Sequence, residues 1–162
     1  MNVTGNNPKK KASVIDKSKI NVERVKMFIA ALRSGEYKQT TGCLRKPAQG
    51  MYPDQYCCLG VGTEVYRKKA KKGHWVPAGS SFMPPKGFMP PKGMPMRHFA
   101  EDAVMPSFVA KWFGFVNSEG QPVTNPVLAP RSNDYWSATS RNEHTRESFA
   151  QIADRFEKLI KD

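Results

Sequence analysis

Apolar positions recur at helical spacing in four stretches of this chain, separated by polar segments rich in Gly, Pro, Asn and Ser. Val22, Val25, Phe28, Ile29 and Leu32 form the first stripe. Asn21 can cap its N-terminus, Glu23 suits its first turn, and Gly35 stops it. A second helix is expected after Asp54 as N-cap, with Cys58, Val61, Val65 and Tyr66 on its buried face and Gly73 at its end. Gly60 and Gly62 lie inside it, and each costs about 1 kcal/mol against alanine. Such glycines are compensated by close backbone approach, either to a packing neighbour or to a ligand. Pro106 opens a short third helix ending at Gly114, with Phe108, Val109 and Trp112 turned inward. Thr145 caps the last helix and Glu147 supports its first turn. Phe149, Ile152, Ala153, Phe156, Leu159 and Ile160 make its continuous stripe.

The connecting segments read differently. Residues 35–55 hold Gly42, Pro47, Gly50 and Pro53 and suggest a loop or short strands, with a hairpin between the first two helices as one form. Residues 73–97 contain Phe82-Met83-Pro84-Pro85-Lys86-Gly87 and an identical copy from Phe88 to Gly93. Two copies are too few for a solenoid. Their Pro-Pro pairs favour extended backbone without a ladder, and a tandem duplication in a tolerant loop explains them. Residues 115–140 look irregular. The fold expected is a mainly α single domain over 19–162, of about four helices with long irregular loops, α+β being the alternative. A flexible basic arm precedes it at 1–18, where few apolar groups are available to order the chain.

Composition refines this outline. Hydrophobic residues make up 39% of the 162, low but sufficient for a core given how they are grouped. No apolar run approaches the length of a membrane span, and the polar, basic start is not a secretory signal. Three cysteines, Cys43 and the adjacent pair Cys57 and Cys58, make a poor disulfide framework and point to reduced thiols in a cytosolic setting. The net charge of +12 is unevenly spread: residues 1–100 carry 19 Lys and Arg against 5 Asp and Glu, whereas 101–162 carry 7 against 9. A surplus confined to one part of a small chain is the footprint of a polyanion-binding surface.

Four segments carry a resemblance. They are Leu32-Arg33-Ser34-Gly35-Glu36-Tyr37-Lys38-Gln39 followed by Gly42 to Arg45; Tyr56-Cys57-Cys58-Leu59-Gly60-Val61; Met105-Pro106 through Trp112-Phe113-Gly114; and Asn133-Asp134 followed by Ser148-Phe149-Ala150-Gln151-Ile152-Ala153-Asp154. In that order they resemble a group of small proteins common in bacteriophage genomes. The likeness covers about half the chain, mainly its expected core. It implies a phage or prophage setting, hence the cytoplasm of an infected bacterial host, and supplies no mechanism. The chain departs from the pattern in the basic run at 67–72, the duplicated loop, the basic arm, and the 13 residues between Asp134 and Ser148.

Three classes of function follow. The first is non-enzymatic binding of DNA or RNA, with Lys9, Lys10, Lys11, Arg67, Lys68, Lys69, Lys71, Lys72, Lys86, Lys92 and Arg97 meeting phosphates and Trp75, Phe82 and Phe88 stacking on unpaired bases. Lysines outnumber arginines there, which favours backbone attraction over base reading. The same surface suits an acidic host protein, or a solvated face with no specific partner. The second is a thiol enzyme built on Cys57 at a helix start, with Gln39 upstream and Asn133 and one of His74, His98 or His144 downstream. Adjacent cysteines near an apolar run are more often simply buried. The third is a polar pocket in which Gln39, Cys57, Asn133 and Asp134 gather near Gly60 and Gly62 around a small ligand or nucleotide. The plainer alternative is that these groups cap helices and tie loops to the core. No zinc spacing joins Cys43, Cys57, Cys58, His74 and His98, and Gly60-Val61-Gly62 lacks the Lys-Ser/Thr of a phosphate loop, so neither metal nor cofactor is expected.

Overall fold

The computed structural model describes residues 20–90, 92–93, 102–115, 120, 142 and 146–161. The arm expected at 1–18 and the proposed cap Thr145 lie outside them. In chain order the described elements are α1 (Val22–Arg33), β1 (Lys38–Gln39), β2 (Arg45–Lys46), β3 (Gln55–Tyr56), α2 (Cys58–Ala70), β4 (His74–Trp75), β5 (Phe82–Met83), α3 (Ser107–Phe113) and α4 (Phe149–Lys161). Two small sheets accompany the four helices, so the fold is a small α+β domain rather than mainly α. Each strand is two residues long, too short for an alternating pattern to register in the sequence.

β2 and β3 form the hairpin between the first two helices, closed by a bridge between Gln49 and Tyr52. β1 adds to it in parallel, with Gln39 opposite Tyr56, giving the order β1-β3-β2. The segment expected to be irregular after α2 holds the second sheet, in which Trp75 of β4 faces Phe82 of β5. The two FMPPKG copies meet different fates. Phe82 is fully buried, whereas Phe88 is half-buried and Met89 is 83% exposed.

The helices pack through aromatic rings. Phe28 of α1 lies 5.4 Å from Phe113 of α3 and 5.2 Å from Phe156 of α4, and Phe115 joins this group. Phe113 is thus the buried aromatic of α3, while Phe108 and Trp112 are only half-buried. α2 runs through the middle, with every residue from Cys58 to Tyr66 buried instead of one face. Both its glycines answer to packing neighbours. A Cβ at Gly60 would collide with the Leu44 carbonyl oxygen, and one at Gly62 would sit 2.8 Å from the Met105 side chain and 3.3 Å from Phe28.

The helix ends refine the expected caps. Asn21 caps α1, its side chain accepting from the Arg24 amide. α2 is capped by Cys57, not Asp54: the Gly60 amide donates to Cys57 Sγ, while Asp54 accepts from the Ala48 amide within the hairpin loop. α2 closes on Lys71 in the left-handed region (φ 56°), two residues before Gly73. Pro106 is the cap of α3 rather than its first residue. α4 begins at Phe149, where Ser148 and Gln151 exchange bonds. The Gln151 amide donates to Ser148 Oγ, and the Ser148 amide donates to Gln151 Oε1. No described helix is long and apolar enough to cross a membrane.

Candidate nucleic-acid interface

The C-terminal half of α2 and the β4–β5 hairpin meet around a buried carboxylate. Glu64 is only 4% exposed. Arg67, one turn later, donates Nε to its Oε1 (3.0 Å) and Nη2 to its Oε2 (2.9 Å), and Trp75 Nε1 donates to Oε1 from β4. A buried charge requires such partners, since an unpaired carboxylate in this position would be strongly unfavourable. The Glu64 hydrogen bonds raise the pKa of Arg67 and hold it charged.

Tyr56, at the end of β3, lies between two other rings: edge-on to Tyr37 at 5.3 Å and to Trp75 at 6.1 Å. Burial, reinforced by Glu64 and Asp54, pushes its phenol up to about 12. Lys68 Nζ donates to the Tyr37 hydroxyl (3.0 Å), which keeps the lysine's pKa raised. Arg45 of β2 stacks its guanidinium 4.9 Å from the Trp75 ring centre and donates to the Val76 and Gly79 carbonyls, joining the two sheets. Together these residues wall an open cleft of about 630 Å3 that also includes Glu36, Asp54, Gly73 and His74. A second groove, about 500 Å3, shares Gly73 and His74 with its wall and lies between Lys71, Lys72, Lys86 and Phe88.

The structure therefore brings together part of the residue set expected to bind a polyanion. Lys69, Lys71, Lys72, Lys86 and Lys92 are exposed, and three of them line the second groove. Arg67 and Lys68 belong instead to the cleft, held by Glu64 and Tyr37. Trp75 is half-buried in the cleft wall. Phe82 corrects the expectation: at 0% exposure, packed 5.0 Å from Trp75 and 6.4 Å from Tyr66, it offers no face to a base. Phe88 lies in the second groove, 5.8 Å from Phe108. Lys9, Lys10, Lys11 and Arg97 fall outside the described residues.

Of the residues proposed for a polar pocket, Gln39, Cys57, Gly60 and Gly62 line neither cleft. Gln39 donates to Asn142 Oδ1 (2.9 Å) and the Glu147 carbonyl (2.8 Å) and accepts from the Phe149 amide (3.2 Å), tying β1 to the start of α4. Cys57 is buried and caps α2, its Sγ accepting from the Gly60 amide. Gly60 and Gly62 are filled by neighbours. Asn133, Asp134, His98 and His144 are outside the described residues. Among the described residues, no three His, Cys, Asp or Glu side chains come together as metal ligands.

Sequence reasoning missed Tyr37, Arg45, Tyr56 and Glu64 as one site. One local signal was available: Glu64 and Arg67 stand at i,i+3 in a helix whose preceding positions are apolar or small. The family model described as Domain of unknown function (DUF8296) matches residues 20–160, and the chain belongs to that family. No curated protein and no solved structure matches the chain.

Proposed function

We propose that this DUF8296 protein is a non-enzymatic nucleic-acid-binding protein that holds a strand along the two neighbouring clefts at the α2–β4 corner. The lysine-lined groove beside the cleft, sharing Gly73 and His74 with its wall, carries the reading. Lysines line one and aromatic rings the other. Lys71, Lys72 and Lys86 suit phosphates, with release of condensed counterions as the main source of affinity. Exposed Lys92 adds to the described cations, and Lys9, Lys10, Lys11 and Arg97 are further phosphate-contact candidates by sequence alone. The phage-like sequence pattern suggests action on host or phage nucleic acid in the cytoplasm of an infected bacterium.

Fluorescence anisotropy of labelled single- and double-stranded DNA and RNA across a salt series tests this directly. Sub-micromolar affinity that falls steeply with salt is expected. Changing Lys69, Lys71 and Lys72 together to Gln should weaken binding to every sequence about equally and flatten the log–log salt slope by about 2 to 3. An unchanged slope would remove that run from the interface. No binding at low salt would end the nucleic-acid reading and leave an acidic host protein as the partner suited to the same lysines.

A further inference from the structure

We infer that the cleft walled by Tyr37, Tyr56 and Trp75 seats one unpaired base of the bound strand, while the neighbouring lysine groove holds its phosphates. The inference rests on the nucleic-acid reading and assigns a separate task to each cleft. The groove gathers Lys71, Lys72 and Lys86 without a carboxylate in its wall. In the cleft, Glu36, Asp54 and Glu64 balance Arg45, Arg67 and Lys68. Phosphate is therefore drawn to the groove and gains nothing from the cleft, which suits a neutral group with a polar edge. Its volume, about 630 Å3, falls within the range of small-ligand pockets.

The inner wall points to the same occupant. Tyr56 is 9% exposed, and among the described residues its hydroxyl has no hydrogen-bond partner. Buried polar groups are seldom left unpaired, and each one that is carries a desolvation penalty. A base edge entering the cleft would supply the missing partner. A phenol is protonated at neutral pH and can donate to such an edge. The Tyr37 hydroxyl accepts from Lys68, so its own proton is free for a second acceptor. Tyr37 and Trp75, both half-buried, offer apolar contact beside this hydrogen-bonding wall. A base in a duplex would have to leave its stack to enter, whereas a single strand carries no such cost. Single strands are thus the preferred ligand.

The test compares three probes of equal phosphate count: a single-stranded oligonucleotide, the same strand with abasic sites at its central positions, and a duplex. Wild-type protein and the Tyr56→Phe variant are titrated with each at several salt concentrations. The wild type should prefer the base-bearing strand over the abasic one by about tenfold. Tyr56→Phe should lose about fivefold on the base-bearing strand and nothing on the abasic one, with the salt slope unchanged. A 2-aminopurine placed at a central position should be quenched by the wild type. Equal affinity for base-bearing and abasic strands, or an equal loss on both in Tyr56→Phe, would overturn the base seat while leaving the groove as a phosphate track. Failure of the wild type to bind any probe at low salt would overturn the nucleic-acid reading itself and the base seat with it. Thermal unfolding of Tyr56→Phe confirms that it is folded, and quenching of 2-aminopurine by wild type needs no variant at all.

Discussion

Tyr56 links the cleft to the stability of the fold. Its phenol has an ordinary value near 10, and burial together with Glu64 and Asp54 pushes it up to about 12. The native state thus favours the neutral form more strongly than the unfolded chain does. That contribution is fully present below about pH 10 and is lost as the pH rises through about 12, because the unfolded phenol ionises first. Tyr66, raised by burial, acts in the same direction. Melting temperature should therefore fall between about pH 9 and about pH 12 in the wild type, and fall less in Tyr56→Phe. Parallel curves for the two proteins would count against Tyr56 as a source of the alkaline instability. At neutral pH the variant should melt no lower than the wild type, because no hydrogen bond to a described residue is removed. None of this was legible around Tyr56 in the sequence. Its neighbours Tyr37, Glu64 and Trp75 come from three other segments, and only their meeting makes the residue notable.

At the scale of elements, legibility followed distance along the chain. α1 and its Asn21 cap depend on residues within one or two turns, and the stripe from Val25 to Leu32 is buried as its spacing predicts. The β2–β3 hairpin was anticipated from the Gly and Pro of residues 35–55, but β1, β4 and β5 were hidden, because a two-residue strand has no period and is stabilised by partners elsewhere. Arg45, for example, reaches from β2 to the carbonyls of Val76 and Gly79. The start of α4 shows an intermediate case. The Ser148-x-x-Gln151 box is visible in the sequence, yet the expected cap was Thr145. Ser148→Ala should lower stability by about 1 kcal/mol, measured by chemical denaturation. Gln39, which also receives the Phe149 amide, limits the loss to the bonds at the Ser148 hydroxyl. A loss well below this would mean that the tie from Gln39 alone fixes the start of α4.

Across the whole molecule, the arginines and lysines divide the positive charge into two roles. Arg33 reaches Asp154 and Glu157 from α1 to α4, Arg155 holds Glu147, and Arg67 holds Glu64. Arg33 joins two helices, whereas Arg67 and Arg155 each clamp a carboxylate close by in the chain through the planar guanidinium fork. Lys69, Lys71, Lys72, Lys86 and Lys92 are exposed and make no ion pair among the described residues. The charge of these lysines is therefore not neutralised by ion pairs among the described residues, and like charges crowd the rim of one groove. Such crowding opposes the compact state, and salt screens it. Raising NaCl from about 20 to about 200 mM should raise the melting temperature by about 2–4 °C. Changing Lys69, Lys71 and Lys72 to Gln should raise it at low salt and shrink the rise with added salt. The same substitution weakens strand binding in the proposed function, so the two measurements move in opposite directions: stability up, affinity down. A surface kept only for solubility would show the first effect without the second. A surface held together by its own charge pairs would lose stability on added salt. Only a binding face maintained against self-repulsion gives both signs together, which makes the paired experiment on one variant the most demanding test of why this chain keeps its lysines where they are.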